Sequence, residues 1–173
     1  MNIHEIANLI RNVPDFPKPG IQFKDITTLL ANGEALATVT DTFASRYKSR
    51  RVDYVLGIEA RGFIFGAALA YALKTGFLVV RKPGKLPYKT KTITYSLEYG
   101  TDSLEIHEDA IKPGNDILIV DDLLATGGTV AGVSKLIKDL GANIVECAFV
   151  IELDALSGRK KLTGFDVFSL IHF

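Results

Sequence analysis

Two adjacent carboxylates, Asp121 and Asp122, stand three residues before a run of small and hydroxyl-bearing side chains, Ala125-Thr126-Gly127-Gly128-Thr129. Paired acids accept hydrogen bonds from sugar hydroxyls or hold a hydrated cation. A glycine pair lets backbone come close to a ligand, and the free N–H groups of a following helix favour an anion by about 0.3–1 kcal/mol. A phosphorylated sugar needs both. Competing phosphate motifs fail: no Gly-x-x-x-x-Gly-Lys-Ser/Thr is present, and Gly127-Gly128-Thr129-Val130-Ala131-Gly132 has threonine where a dinucleotide fingerprint needs its second glycine.

Three further stretches carry chemistry. In Gly57-Ile58-Glu59-Ala60-Arg61-Gly62, a guanidinium sits in a glycine-flanked loop before a helical pattern, so Arg61 could meet a second anion or simply pair with Glu59 or a carbonyl. From Arg81 to Lys91 five basic residues (Arg81, Lys82, Lys85, Lys89 and Lys91) occur with no acid, and Pro83, Gly84 and Pro87 block a helix. That run reads as a solvated loop, a small nucleic-acid patch or an anion-binding segment; it lacks the aromatic interleaving or basic helix of a nucleic-acid site. The proline-rich segment from Asp15 to Ile26 carries Phe16, Ile21 and Phe23, which suit either a packed connector or a slot for a flat apolar ring.

Positioning these groups takes alternating strands and helices. Ile117 to Val120 reads as a buried parallel strand after the Pro113-Gly114-Asn115 turn, with Asp121 and Asp122 just past its end, where open α/β sheets place ligands. Val130, Val133, Leu136, Ile137 and Leu140 then mark a helix, and Leu36, Val39, Phe43 and Tyr47 mark another beginning near Asn32-Gly33. Strands are expected over 53–57, 77–80, 143–153 and 167–171, the last at an edge or centrally, and a helix over 63–73. A helix is expected over about 2–11, irregular chain from Pro14 to Gly20, and a short polar helix or turn over 156–161. A hairpin joins 92–99 to 103–107 through Gly100-Thr101-Asp102. The fold class is therefore α/β, a mostly parallel twisted sheet flanked by helices on both faces.

Composition narrows the class. The chain has 173 residues, 47% of them hydrophobic, enough for one domain with a substantial core. Twenty basic and twenty acidic residues cancel, so no global field points to nucleic acid or an anionic membrane. The single cysteine, Cys147, lies in an apolar stretch and reads as a buried small hydrophobe. His4, His107 and His172 show no ligand spacing, so no protein-bound transition metal is expected. With neither a signal peptide nor an eighteen-residue apolar run, the expectation is a soluble cytoplasmic protein.

At Ile117–Thr129 the chain resembles the phosphoribosyltransferases (type I), whose signature is a hydrophobic strand, two acids, two variable residues and Ala/Thr-Thr-Gly-Gly-Thr before a helix. The resemblance implies that Ala125, Thr126, Gly127, Gly128 and Thr129 take the 5-phosphate of phosphoribosyl pyrophosphate, while Asp121 and Asp122 take the ribose hydroxyls. Phe16-Pro17-Lys18-Pro19-Gly20-Ile21-Gln22-Phe23-Lys24-Asp25-Ile26 is similar to the hood of the adenine enzymes of that family. By that likeness, main chain near Ile21 and Lys24 reads adenine and Phe23 lies on its face. Ala60 and Arg61 inherit contacts to pyrophosphate, and Arg81 and Lys85 reach the pyrophosphate or the reacting phosphoribosyl group. Ser96-Leu97-Glu98-Tyr99-Gly100 resembles the lid, with Glu98 exchanging a proton with the purine and Tyr99 over the reacting centre. Two positions depart from the pattern: Thr28 replaces a common proline, and Tyr88 a common glycine.

The likeness implies a hood over about 1–30, a core over 33–80 and 110–173 and a lid over 81–108. The implied reaction is adenine plus phosphoribosyl pyrophosphate giving AMP and pyrophosphate, in purine salvage. The likeness also implies magnesium, held mainly by substrate near Asp121 and Asp122, and a homodimer. Rival readings are an enzyme for xanthine or for hypoxanthine and guanine, a regulator that binds the donor without chemistry, and a phospho-acceptor domain using Asp121 or Asp122.

Overall fold

The computed structural model describes residues 1–96 and 100–173. Five strands, β3 (Tyr54–Ile58), β4 (Gly76–Val80), β7 (Asp116–Leu124), β8 (Asn143–Glu152) and β9 (Val167–His172), form a parallel sheet in the order β4-β3-β7-β8-β9. Alternation within β7 divides the core. Leu118 and Val120 face one side with Phe43 and Tyr47 of α3 (Gly33–Tyr47) and Phe65 and Leu69 of α4 (Gly62–Leu73). Ile117 and Ile119 face the other, with Val130, Val133 and Ile137 of α5 (Gly128–Asp139) and with Tyr95, Leu104 and Ile106 of an antiparallel hairpin, β5 (Thr90–Ser96) and β6 (Thr101–His107). Parallel strands covered on both faces have to be apolar throughout, as β7 is over Ile117–Val120.

A clasp ties α3 to the sheet. The buried carboxylate of Glu146 on β8 accepts from Arg46 Nε and Nη2 at 2.7 and 2.8 Å and from the Tyr47 hydroxyl at 2.6 Å. Burial alone would raise the Glu146 carboxyl, but these donors more than offset it and hold it below the ordinary range. Cys147, next in sequence, is fully buried as expected, and burial pushes its thiol up to about 11.

Several boundaries differ from the sequence reading. The first helix is shorter, α1 (Ile3–Leu9), started by a capping box between Asn2 and Glu5. Ile10 turns extended, and Arg11–Pro14 (β1) pairs antiparallel with Gln22–Asp25 (β2). The prolines thus interrupt a hairpin rather than forbid one: its tip is bridged by the Asp15 carboxylate, which accepts from Gly20 N–H at 2.7 Å. A short helix, α2 (Thr27–Leu30), comes next, with Thr28 Oγ1 donating to the Leu9 carbonyl. In the second hairpin Tyr95 pairs with Asp102 and Ser96 with Thr101, so Thr101 and Asp102 belong to β6 and not to the turn. β9 is an edge strand, and 3-10 turns at Asp154–Leu156 and Gly158–Leu162 fill the polar segment before it. Among the described residues no helix is long and apolar enough to cross a membrane.

Candidate active site

The two acids lie on β7 itself, which runs on to Leu124, and not beyond its end. The strand overhangs its neighbour: pairing with β3 stops at Gly57–Val120, while pairing with β8 continues to Leu124–Glu152. Asp121 and Asp122 therefore sit at the lip of the crevice past the ends of β3 and β4. Asp121 Oδ1 accepts from the Asp122 N–H at 2.9 Å and packs against Gly62, where a Cβ would come within 2.7 Å of it. Burial, reinforced by the charge of Asp122, drives its carboxyl well above the usual carboxylate range. Asp122 is buried and accepts from Arg61 Nε at 2.5 Å. Arg61 thus meets neither Glu59 nor a bare carbonyl. Its guanidinium carbon lies 5.4 Å from the Phe23 ring centroid, so one side chain links the N-terminal hairpin to the acid pair.

Beyond the acids the chain makes the small-residue bend. Gly127 has φ +78°, and a Cβ there would stand 2.4 Å from the Gly158 carbonyl oxygen; one on Gly158 would stand 2.2 Å from that of Ala125. Backbone packed on backbone holds the bend in shape. Residues 125–130, with Asp121 and Phe149, line a cup of about 90 Å³ at the N-terminus of α5, where first-turn N–H groups have no helical partner.

A slot of about 570 Å³ opens between Gly20, Ile21, Gln22 and Lys24 of the hood and Leu153, Ala155, Leu156 and Phe173 of the C-terminal segment, and Thr126 lines it too. Lys24 Nζ lies 4.0 Å from the Phe173 ring centroid. Phe23 is not in that lining; it packs edge-on to Phe16, with centroids 5.2 Å apart. On the other side of the bend a cavity of about 420 Å³ is lined by Glu59, Ala60, Arg61, Lys82, Tyr95, Asp102, Asp121, Asp122, Ala125 and Thr129, among others. The Glu59–Ala60 peptide in its wall is cis. Slot, cup and cavity are contiguous through Thr126 on one side and Asp121, Ala125 and Thr129 on the other.

Two of the five basic residues of the run, Arg81 and Lys82, are paired with acids. Arg81 Nη2 and the Lys82 N–H donate to the Glu59 carboxylate at 2.9 and 2.8 Å, which holds that acid below its usual range. Lys82 Nζ pairs with Asp102 inside the cavity. Arg81 is outside the cavity lining, and Lys85 is exposed, its carbonyl accepting from Arg81 Nη1 at 3.3 Å. Glu98 and Tyr99 lie outside the described residues. Sequence reasoning missed Gln22, Leu156 and Phe173 in the slot and Glu59, Lys82, Tyr95 and Asp102 in the cavity.

His172 is not dispersed in space, since its Nδ1 lies 2.8 Å from Asp154 and 3.9 Å from Glu152. Arg159 Nε occupies both oxygens of that glutamate at 2.8 and 2.9 Å, a cation already where a metal would sit.

A parallel sheet thus gathers paired acids, a small-residue cup at a helix N-terminus and two flanking compartments into one crevice. The chain belongs to the phosphoribosyltransferase family: residues 25–172 match its phosphoribosyl transferase domain. Within that family it stands with the adenine phosphoribosyltransferases. It is 59% identical to the adenine phosphoribosyltransferase of Syntrophotalea carbinolica over 99% of this chain and 100% of that one. The crystal structure of the adenine phosphoribosyltransferase of Thermoanaerobacter pseudethanolicus superposes with TM-score 0.96 at 52% identity, covering 99% and 100% of the two chains. That of Saccharomyces cerevisiae, complexed with an imino-altritol bisphosphate and adenine, gives 0.91 at 41% identity over 97% of each.

Proposed function

We infer that the protein joins adenine to phosphoribosyl pyrophosphate, giving AMP and pyrophosphate in purine salvage. One observation carries the assignment of parts: the phosphate cup touches both the apolar slot and the acid-lined cavity, so a phosphoribosyl group seated on it has its base side and its pyrophosphate side already provided. The 5-phosphate rests on the bend, the ribose hydroxyls on Asp121 and Asp122, and the base in the slot under the hood. The acidic pair, Asp121 and Asp122, faces the cationic sugar centre that develops as the C1–pyrophosphate bond lengthens. Arg61 lies between acid and hood and can turn to the leaving group. Glu98 is assigned the proton exchange with the purine, and Tyr99 a place over the reacting centre, by family likeness. The segment over 81–108 is read as the lid that keeps water from the activated sugar.

The pyrophosphate cavity is lined by four carboxylates, Glu59, Asp102, Asp121 and Asp122, against two cations, Arg61 and Lys82. An anion entering there needs a counter-cation, and carboxylate and phosphate oxygens form a hard donor set suited to magnesium. When bound, held by substrate phosphates near Asp121 and Asp122, it supplies charge neutralisation to the departing pyrophosphate. A homodimer belongs to the same reading, supported by α4, which is apolar throughout and leaves Ile64 (41% exposed) and Tyr71 (88%) outward. So does a cytoplasmic setting, supported by a lone buried cysteine.

The purified protein, given donor, magnesium and equal adenine, hypoxanthine, guanine and xanthine, should form AMP almost exclusively. Formation of another mononucleotide would reassign the slot, and donor binding without any nucleotide would make the protein a sensor.

A further inference from the structure

The cavity that should receive a polyanion contains an acid that neither ribose nor base requires. Asp102 lies opposite Tyr95 in the β5–β6 register, and in this conformation the hairpin makes two contacts that seat it against the cavity. Arg81 and Glu105 exchange backbone hydrogen bonds of 2.9 and 2.7 Å, and the Tyr95 ring packs so closely on α5 that a Cβ on Gly132 would come within 3.0 Å of it. In this conformation the Asp102 carboxylate forms part of the cavity wall, with the Ser103 N–H donating to it at 2.8 Å and the Tyr95 hydroxyl at 3.4 Å. Its main partner is Lys82 Nζ. Lys82 is anchored at its backbone, through its N–H to Glu59, while its ammonium swings on a four-carbon stem.

We propose that Asp102 is an internal counter-ion that competes with pyrophosphate for Lys82 and so weakens the cavity's hold on that anion. The proposal rests on the cavity being the pyrophosphate site. Both partners stay partly open to water, with side chains 45% and 30% exposed, so the pair is loose enough to exchange. An arriving pyrophosphate must detach the ammonium and then faces the released carboxylate, which keeps hydrogen bonds from Ser103 and Tyr95. Both effects lower apparent affinity, as any competing state does. The consequence is easier release of the product anion.

Titration calorimetry of inorganic pyrophosphate into the full-length protein, with magnesium and with a chelator, tests this against Asp102→Asn. The dissociation constant should fall by about two- to fivefold in the variant, the size of one part-exposed charge pair. The donor KM should fall with it while the adenine KM stays, and the gain should shrink in a Lys82→Met background. A folded Asp102→Asn protein with unchanged or weaker pyrophosphate binding overturns the counter-ion role; weakening only with magnesium present would make Asp102 a cation ligand instead. If wild type binds no pyrophosphate, the cavity assignment falls and takes the proposal with it, whereas wild-type binding without a gain in the variant removes the counter-ion alone.

Discussion

Asp122 serves two partners with one carboxylate, the ribose of the proposed substrate and the Arg61 guanidinium at 2.5 Å. Asp122→Ala should therefore lower kcat/KM for the donor by about 10- to 100-fold, about 1.4–2.7 kcal/mol, by removing a sugar contact and releasing Arg61. Initial-rate kinetics beside a thermal melt would check it, and unaltered kinetics in a folded protein would remove Asp122 from the ribose site. Glu98→Gln should cut kcat by about 10²-fold or more while adenine binding changes little; equal effects on both would deny Glu98 a proton-transfer role. The residues of the bend and the acid pair were legible in the sequence because they are contiguous, and one strand-to-helix turn delivers them together. The pairs Lys82–Asp102 and Arg61–Asp122 were not, since they join residues 20 and 61 positions apart and exist only once the sheet is assembled. That also explains why a basic run without a local acid looked free.

At the scale of elements, the phosphate bend is shaped from outside by the turn at Gly158–Leu162. Gly158→Ala would drive a Cβ into the Ala125 carbonyl oxygen and to 2.9 Å from Leu124 Cδ1, so the bend must shift. Affinity for ribose 5-phosphate should fall about tenfold with the fold retained, measured by calorimetry and circular dichroism; unchanged affinity would mean the bend holds its shape without this support. The α3–β8 clasp makes a pH prediction. The Glu146 carboxyl is lowered in the fold, so the stability it contributes is present above its unfolded value of 4.5 and is lost as pH falls below that. Glu146→Gln should cost about 1–3 kcal/mol at neutral pH and flatten the acid limb of the unfolding curve; an acid limb as steep as wild type would contradict the assignment. Helices α3, α4 and α5 and the sheet strands were legible from apolar periodicity to within a few residues. The hood hairpin was not, because three prolines mask a pairing fixed by a carboxylate at its tip, and β7 runs past its apolar stretch because β8 keeps pairing with it.

For the whole molecule, the outward apolar face of α4 is where a second copy should sit. Tyr71→Glu should shift sedimentation from dimer toward monomer and lower activity in proportion, while a wild type that sediments as a monomer would refute the dimer. All of these assignments depend on the bend at Ala125–Thr129 being the seat of the 5-phosphate. A crystal structure of the protein with AMP tests that most directly. Phosphate oxygens should lie within hydrogen-bond reach of the N–H groups of residues 126–129, with the ribose hydroxyls at Asp121 and Asp122 and adenine between Ile21 and Leu156. A nucleotide seated elsewhere, with the bend unengaged, would contradict the account.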